Sequence, residues 1–197
     1  VNVVLDTLNG LQLSAMNFAD NLNGTQIGFL NYGIKSKGVQ LGFLNVLDSE
    51  EGLQIGFINV KKRTRIQWMV AGGNLMTGIS GARFLTDNRY SVFFVGSPIK
   101  GLDDDFSGGI GYRYGYRLNL KVVDLSADLG WSHITSYNKS KEDYENTYSF
   151  QIRTNIEKRL TQRISLFVTG GYYWLADSYK GKRFSSDALF EVGVYLF

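Results

Sequence analysis

The chain has 197 residues, with 21 basic against 18 acidic side chains, 23 glycines, 3 Trp, 12 Tyr, 13 Phe, one proline and no cysteine. That length suits one sizeable domain or two small ones. The missing cysteines exclude a disulfide framework and a thiolate metal site, and the charges are too scattered for a nucleic-acid face. No stretch reaches the run of about 18 apolar residues a membrane helix needs. Val1 opens no basic-then-apolar signal segment, which leaves a soluble chain or a processed one that meets a membrane as strands.

Residues 1–60 are repetitive. "NGLQLSAMNF", "NGTQIGFLNY", "KGVQLGFLNV" and "EGLQIGFINV" place Gly10, Gly24, Gly38 and Gly52 each 14 residues apart. The leading "VNVVLDTL" reads as the tail of another unit. The units resemble a bacterial surface-repeat family of the form G-x-Q-[IL]-G-[FL]-[IL]-N, found in envelope proteins of several Gram-negative lineages; Ser14, Ala15 and Met16 depart from the pattern.

Two architectures fit such units. In a parallel solenoid the rungs stack and Gln12, Gln26, Gln40 and Gln54 form one ladder. In an antiparallel meander each unit is a strand plus a turn. A nine-residue strand covers about 30 Å, and the connection "LDSEE" cannot retrace that distance at ~3.6 Å per residue. A solenoid must therefore fold each strand in two, at Gly28, Gly42 and Gly56. The meander needs no bend, and the sequence is read as strands over 10–18, 24–32, 38–46 and 52–60.

Beyond residue 60 the alternation has period two, and strands are predicted over 65–73, 77–85, 89–97, 106–118, 121–137, 144–159, 163–178 and 186–197. In "FSGGIGYRYGYRL" Ile110, Tyr112, Tyr114 and Tyr116 oppose Gly111, Arg113, Gly115 and Arg117. In "YENTYSFQIRTNIEKR" Tyr148, Phe150, Ile152 and Ile156 oppose Ser149, Gln151, Arg153 and Glu157. A soluble sandwich has shorter strands, about 5–6 residues, and a polar outer face. Long strands with aromatics on the apolar face and charges opposite are the pattern of a lipid-facing barrel around a polar interior. The Gly-rich "GISGARF" and "GGIGYRYG" are not phosphate loops, since no helix follows. Their glycines suit bends and close packing.

The closing strand "SDALFEVGVYLF" ends in Phe197. It resembles the C-terminal signature of bacterial outer-membrane β-barrels, although its apolar set lies on the even positions and Phe197 does not. The resemblance implies an integral protein of the bacterial outer membrane with periplasmic termini. Its partners would be outer-membrane lipid and other envelope proteins, with no nucleic acid and no cofactor. Short periplasmic turns are expected near Thr86–Asn88, Asn119–Leu120 and Leu160–Gln162. The polar stretches "SPIKGLDDD", "NKSKED" and "YKGKRFSS" would face outside.

The fold expected is thus an all-β antiparallel transmembrane barrel of about twelve strands in one domain. Residues 1–60 would supply its first strands and 61–197 the rest. The alternative is an eight-stranded barrel beside an N-terminal β-solenoid.

Phase places Arg113, Arg117, Arg153 and Arg163 inside, with Asp124, Asp128, Glu145, Glu157, Asp187 and Glu191. Buried charges must be paired, so these groups are expected to neutralise one another and fill a narrow lumen. A lining that selects permeant solutes is the alternative. His133 is the only histidine, which excludes a two-histidine metal site. It shares the outward phase with Trp131 and Thr135 and reads as an interfacial residue beside a girdle Trp. A lipid-acting barrel enzyme could place a His and a hydroxyl residue there, but no oriented His-Ser-acid set is present, and no catalysis is expected. Asp103–Asp105 could hold a divalent cation and are expected to be solvated. The function expected is structural or accessory in an envelope assembly, with a narrow porin-like pore as the alternative.

Overall fold

The computed structural model describes residues 1–98, 106–138, 143–177 and 184–197. Its fourteen strands are β1 (Asn2–Leu8), β2 (Leu11–Leu13), β3 (Met16–Leu22), β4 (Thr25–Ser36), β5 (Val39–Leu47), β6 (Leu53–Lys61), β7 (Arg65–Gly73), β8 (Met76–Thr86), β9 (Arg89–Pro98), β10 (Phe106–Asn119), β11 (Asp124–Asn138), β12 (Asp143–Arg159), β13 (Ile164–Asp177) and β14 (Phe184–Leu196). They form two sheets where the meander reading expected one. The first is parallel, in the order β1-β3-β4-β5-β6 with β2 on β4, and the second is a closed barrel, β10-β11-β12-β13-β14-β7-β8-β9. The chain divides into two compact units, Val1–Arg65 with Phe84–Asp87, and Ile66–Arg83 with Asn88–Phe197.

The twelve-stranded meander is therefore corrected to the alternative. The repeats are stacked rungs, with Gln26 beside Gln40 and Gln40 beside Gln54 in parallel register. The fold in each rung lies where the solenoid geometry requires it. Pairing between β4 and β5 runs from Thr25 to Gly28, skips Phe29, and resumes at Leu30. Within one rung, Gln26 Nε2 donates to the Tyr32 carbonyl at 3.2 Å. Six extended residues would hold those positions about 20 Å apart, so the two arms of the rung face each other. Glycine is needed at the bend because a Cβ on Gly42 would lie 2.1 Å from the Gly28 carbonyl oxygen of the rung before it.

Amides fill the narrow space between the arms. Gln26 Nε2 donates to Gln12 Oε1 at 2.8 Å, Gln40 to Gln26 at 2.8 Å, and Gln54 to Gln40 at 3.0 Å. A second ladder runs the opposite way, Asn17 Nδ2 to Asn31 Oδ1 at 2.9 Å, Asn31 to Asn45 at 2.8 Å, and Asn45 to Asn59 at 2.9 Å. The spare N–H of each amide goes to a backbone carbonyl, as in Asn31 to Leu41 O at 2.9 Å. Buried polar groups must be bonded in this way, and a translational repeat lets one residue type satisfy itself. The small apolar core of this unit is Leu8, Ala19, Leu22 and Leu47. β1 pairs parallel with β3 as the second arm of a rung.

The barrel is antiparallel in every pairing described, from β9 through β14 and on to β7, where Glu191 faces Gly73 and Leu196 faces Trp68. Its later strands are long: 14 residues in β10, 15 in β11, 17 in β12. Short turns join β8 to β9 through Asp87 and Asn88, β10 to β11 through residues 120–123, and β12 to β13 through residues 160–163. Asp87 (φ 55°) and Lys121 (φ 68°) supply the left-handed residues of the first two. Residues 99–105, 139–142 and 178–183 lie outside the described residues, and with them the Asp103–Asp105 run and most of the three polar stretches.

Candidate functional site: the charged barrel interior

Strand alternation sets the two faces. Along β12, Tyr148, Phe150, Ile152 and Ile156 are exposed on the outside, while Ser149, Gln151, Arg153, Asn155 and Glu157 are buried inside. The same split holds on β10, where Ile110, Tyr114 and Tyr116 are exposed and Arg113 and Arg117 buried. From Ile156 to Tyr144 the apolar face runs twelve residues, roughly 40 Å along the strand and about 30 Å along the axis of a barrel with strands tilted ~40°.

Inside, the charges are joined across the ring. Arg113 on β10 grips Glu191 on β14 through both oxygens, Nη1 to Oε1 at 2.9 Å and Nη2 to Oε2 at 2.8 Å. In a ring of eight these strands are four apart, on opposite walls. Arg83 on β8 donates Nη1 to Glu157 Oε2 on β12 at 2.8 Å, again between opposite walls. Arg153 on β12 completes the Glu191 site, with Nη1 to Oε2 and Nη2 to Oε1 both at 3.0 Å. Its Nε lies 3.0 Å from Asp128 Oδ1, an ion pair whose angle does not make a hydrogen bond. Asp128 Oδ2 instead accepts from Tyr90 OH at 2.7 Å and Asn155 Nδ2 at 2.8 Å. Near the short turns Arg117 Nη1 meets Asp124 Oδ2 at 2.9 Å.

Aromatic rings fill the space between these pairs. The Arg83 guanidinium lies 3.5 Å from the centre of the Tyr195 ring, and that of Arg113 lies 4.2 Å from Phe94. Arg83 Nη2 and Arg113 Nε, which find no acceptor, thus belong to groups held on aromatic faces. Room for the rings comes from glycines on the inner face of β10. A Cβ on Gly111 would lie 2.2 Å from the Phe94 ring, and one on Gly115 would lie 2.5 Å from that of Tyr90. Of the two roles expected for the glycines of "GGIGYRYG", Gly111 and Gly115 serve close packing. "GISGARF" lies within β8.

Seven of the ten charges that phase places inside stand on the inner face: Arg113, Arg117, Asp124, Asp128, Arg153, Glu157 and Glu191. Arg163 does not. It is exposed in the turn before β13, because the strand starts one residue later, at Ile164. The arginine paired with Glu157 is Arg83, which shares the buried side of β8 with Ile79, Gly81 and Leu85 and alternates with Gly78, Ser80, Ala82 and Phe84. That alternation was available in "GISGARFLT" and would have found it. Gln67, which accepts from Arg83 Nε at 2.6 Å, Tyr90, Asn155 and Tyr195 carried no charge to draw attention. Asp187 is exposed, and the side chain of Glu145 lies outside the description. Among the described residues the inner ion pairs balance at Arg83, Arg113, Arg117 and Arg153 against Asp124, Asp128, Glu157 and Glu191, all buried but Asp124, which is partly exposed.

His133 is on the outer face, stacked on Tyr148 with ring centres 4.8 Å apart. Its Nε2 and Asn146 Oδ1 are 3.1 Å apart, and Thr135 donates to the same oxygen at 3.0 Å. An amide partner neither orients a general base as a carboxylate would nor supplies a nucleophile. Among the described residues no group of three His, Cys, Asp or Glu is placed to hold a metal ion.

No family model matches the sequence, and no curated protein matches it significantly. Solved structures similar to this chain include Neisserial surface protein A, with a TM-score of 0.43 and 15% identity over 66% of this chain and 92% of that one. The N-terminal β-barrel domain of Pseudomonas aeruginosa OprF gives a TM-score of 0.42 and 14% identity over 66% and 93%. A major outer membrane protein from Thermus thermophilus gives 0.42 and 12% over 66% and 98%. These are likenesses of fold and say nothing of activity.

Proposed function

We propose that the chain is an integral β-barrel of the bacterial outer membrane whose role is structural or that of an accessory subunit in an envelope assembly. It is neither a solute pore nor an enzyme. The observation that carries this reading is the pairing of opposite walls, Arg113 with Glu191 and Arg83 with Glu157. A conducting lumen needs hydrated charges facing a continuous water path. Here the charges are buried against each other and against Phe94, Tyr90 and Tyr195.

The outer surface supports the membrane part of the reading. Ile152, Val168, Phe190 and Val192 are exposed, and Tyr148 and Trp174 lie toward the ends of β12 and β13 away from the short turns, with Trp131 at the middle of β11 and Tyr172 beside Ile152. That is an apolar band with an aromatic girdle. With the short turns periplasmic, the start of β7 and the end of β14 lie on the periplasmic side. His133, between Trp131 and Thr135, then belongs to the outer girdle. The test is extraction and gel migration. The protein should leave the envelope only with detergent and migrate faster unheated than boiled. A compact monomer in plain buffer would overturn the proposal.

A further inference from the structure

The repeat module is built inside out. Its polar side chains, the Gln and Asn ladders, are buried between the arms of each rung, while the columns Leu13/Ile27/Leu41/Ile55 and Phe29/Phe43/Phe57 run along its outside. The phenylalanines stack from rung to rung, 4.8 Å from Phe29 to Phe43 and 5.2 Å from Phe43 to Phe57. They stand at the fold of the rung, where Phe29 is 63% and Phe43 37% exposed. Leu13 at 68% and Ile55 at 52% continue the apolar surface on one arm.

Charge is segregated from this edge. Between Asn9 and Thr64 every charged side chain falls in residues 19–23, 33–37, 47–51 or 61–63, and none falls in 10–18, 24–32, 38–46 or 52–60. The rungs stack in register, so the phase becomes a place: the folded edge and the arms beside it carry no charge, and all charge collects at the open end. A protein-binding surface ordinarily surrounds its apolar centre with a polar rim and offers hydrogen-bonding groups that specify the partner. This edge offers neither, because its amides are used internally. The backbone of the arms on either side of the phenylalanines is paired from rung to rung, as hydrocarbon requires of backbone that enters it. An apolar edge backed by a charged base is the arrangement of a segment lying in a membrane interface.

We infer that the repeat module inserts its phenylalanine edge into the bilayer, as a monotopic wedge carried by the same chain as the barrel. The occupant of the apolar surface is lipid hydrocarbon. The inference rests on the membrane reading of the barrel only in needing a bilayer at hand. β6 ends at Lys61 and β7 begins at Arg65, so module and barrel are consecutive in one chain.

The test uses the full chain in phosphatidylcholine vesicles and nitroxide labels on single cysteines, for which the cysteine-free sequence gives no background. Labels at Phe43→Cys and Ile55→Cys should collide more with molecular oxygen, which concentrates in lipid, than with a water-soluble nickel chelate. The ratio should invert at Lys37→Cys and Asp48→Cys. Ile152→Cys on the barrel is the reference. Oxygen preference at 152 with nickel preference at 43 and 55 overturns the inference and leaves the barrel reading intact. Nickel preference at all three overturns both. Labels at 43 and 55 shielded from both reagents, with spin coupling that rises with the protein-to-lipid ratio, would assign the edge to a second copy and also overturn the inference.

Discussion

Arg113 and Glu191 face each other from opposite walls of the barrel and are joined by two hydrogen bonds, of 2.9 and 2.8 Å. An ion pair in that position cannot be an ornament of one wall. It crosses the lumen, as does the pair of Arg83 with Glu157, joined at 2.8 Å.

Breaking one of these pairs should cost more than removing it whole. Glu157→Leu leaves Arg83 buried without its carboxylate and should destabilise the barrel by about 3–5 kcal/mol. The double substitution Arg83→Met with Glu157→Leu should recover a large part of that loss. Urea unfolding of the refolded protein in lipid micelles gives both numbers. Equal costs for single and double variants would mean that the groups are hydrated.

On the outer face the same kind of substitution should act by depth. Phe150→Arg and Ile152→Arg, in the middle of the apolar band, should each cost roughly 2–4 kcal/mol of folding in a bilayer. Val122→Arg, in the turn between β10 and β11, should cost little. A flat profile across these sites would deny that lipid is the solvent of this face.

Parallel stacking of the repeats can be locked covalently. Thr25 and Val39 are register partners, and neighbouring strands lie about 4.8 Å apart, within the ~4.4–6.8 Å that a disulfide spans. Thr25→Cys with Val39→Cys should therefore oxidise within one chain. In a hairpin of the same two segments the positions would sit about 20 Å apart along the strand and would stay reduced.

Inside the module, Gly42→Ala should displace a rung, since the added carbon would meet the Gly28 carbonyl oxygen at 2.1 Å. It should cost at least the ~1–3 kcal/mol of ordinary overpacking. Gly10→Ala, where nothing lies within 4 Å, is the control. Gln40→Leu strands the Gln26 oxygen and the Gln54 amide, at about 1–3 kcal/mol for each group left unpaired. Faster hydrogen exchange across β4 and β5 in Gly42→Ala and Gln40→Leu, but not in Gly10→Ala, is the expected pattern.

The barrel strands were legible because each carries its own evidence. In β10 to β14 a period of two sorts Ile152 from Arg153 without reference to any neighbour, and the strand limits agree to within a few residues. Arg163 misled because phase persists on paper past the point where the backbone turns, and Arg83 was missed because glycines and alanine thin the alternation around it. The repeat was harder for a different reason. Whether residues 24–32 run straight or fold beside Gly28 depends on a close approach that only glycine permits, a Cβ there lying 2.1 Å from the Ser14 carbonyl oxygen. It also depends on amide ladders whose bonds exist only once a second rung is stacked. The translational identity of the units, glutamine upon glutamine, was the one sign in the sequence that favoured the stack.

The central claim is that the barrel is closed along its axis, and planar-bilayer recording of the purified chain tests it most directly. The wild-type protein should give no stable conductance, because Arg113–Glu191 and Arg83–Glu157 bridge the lumen from wall to wall. A steady single-channel current carried by the wild-type chain would contradict it.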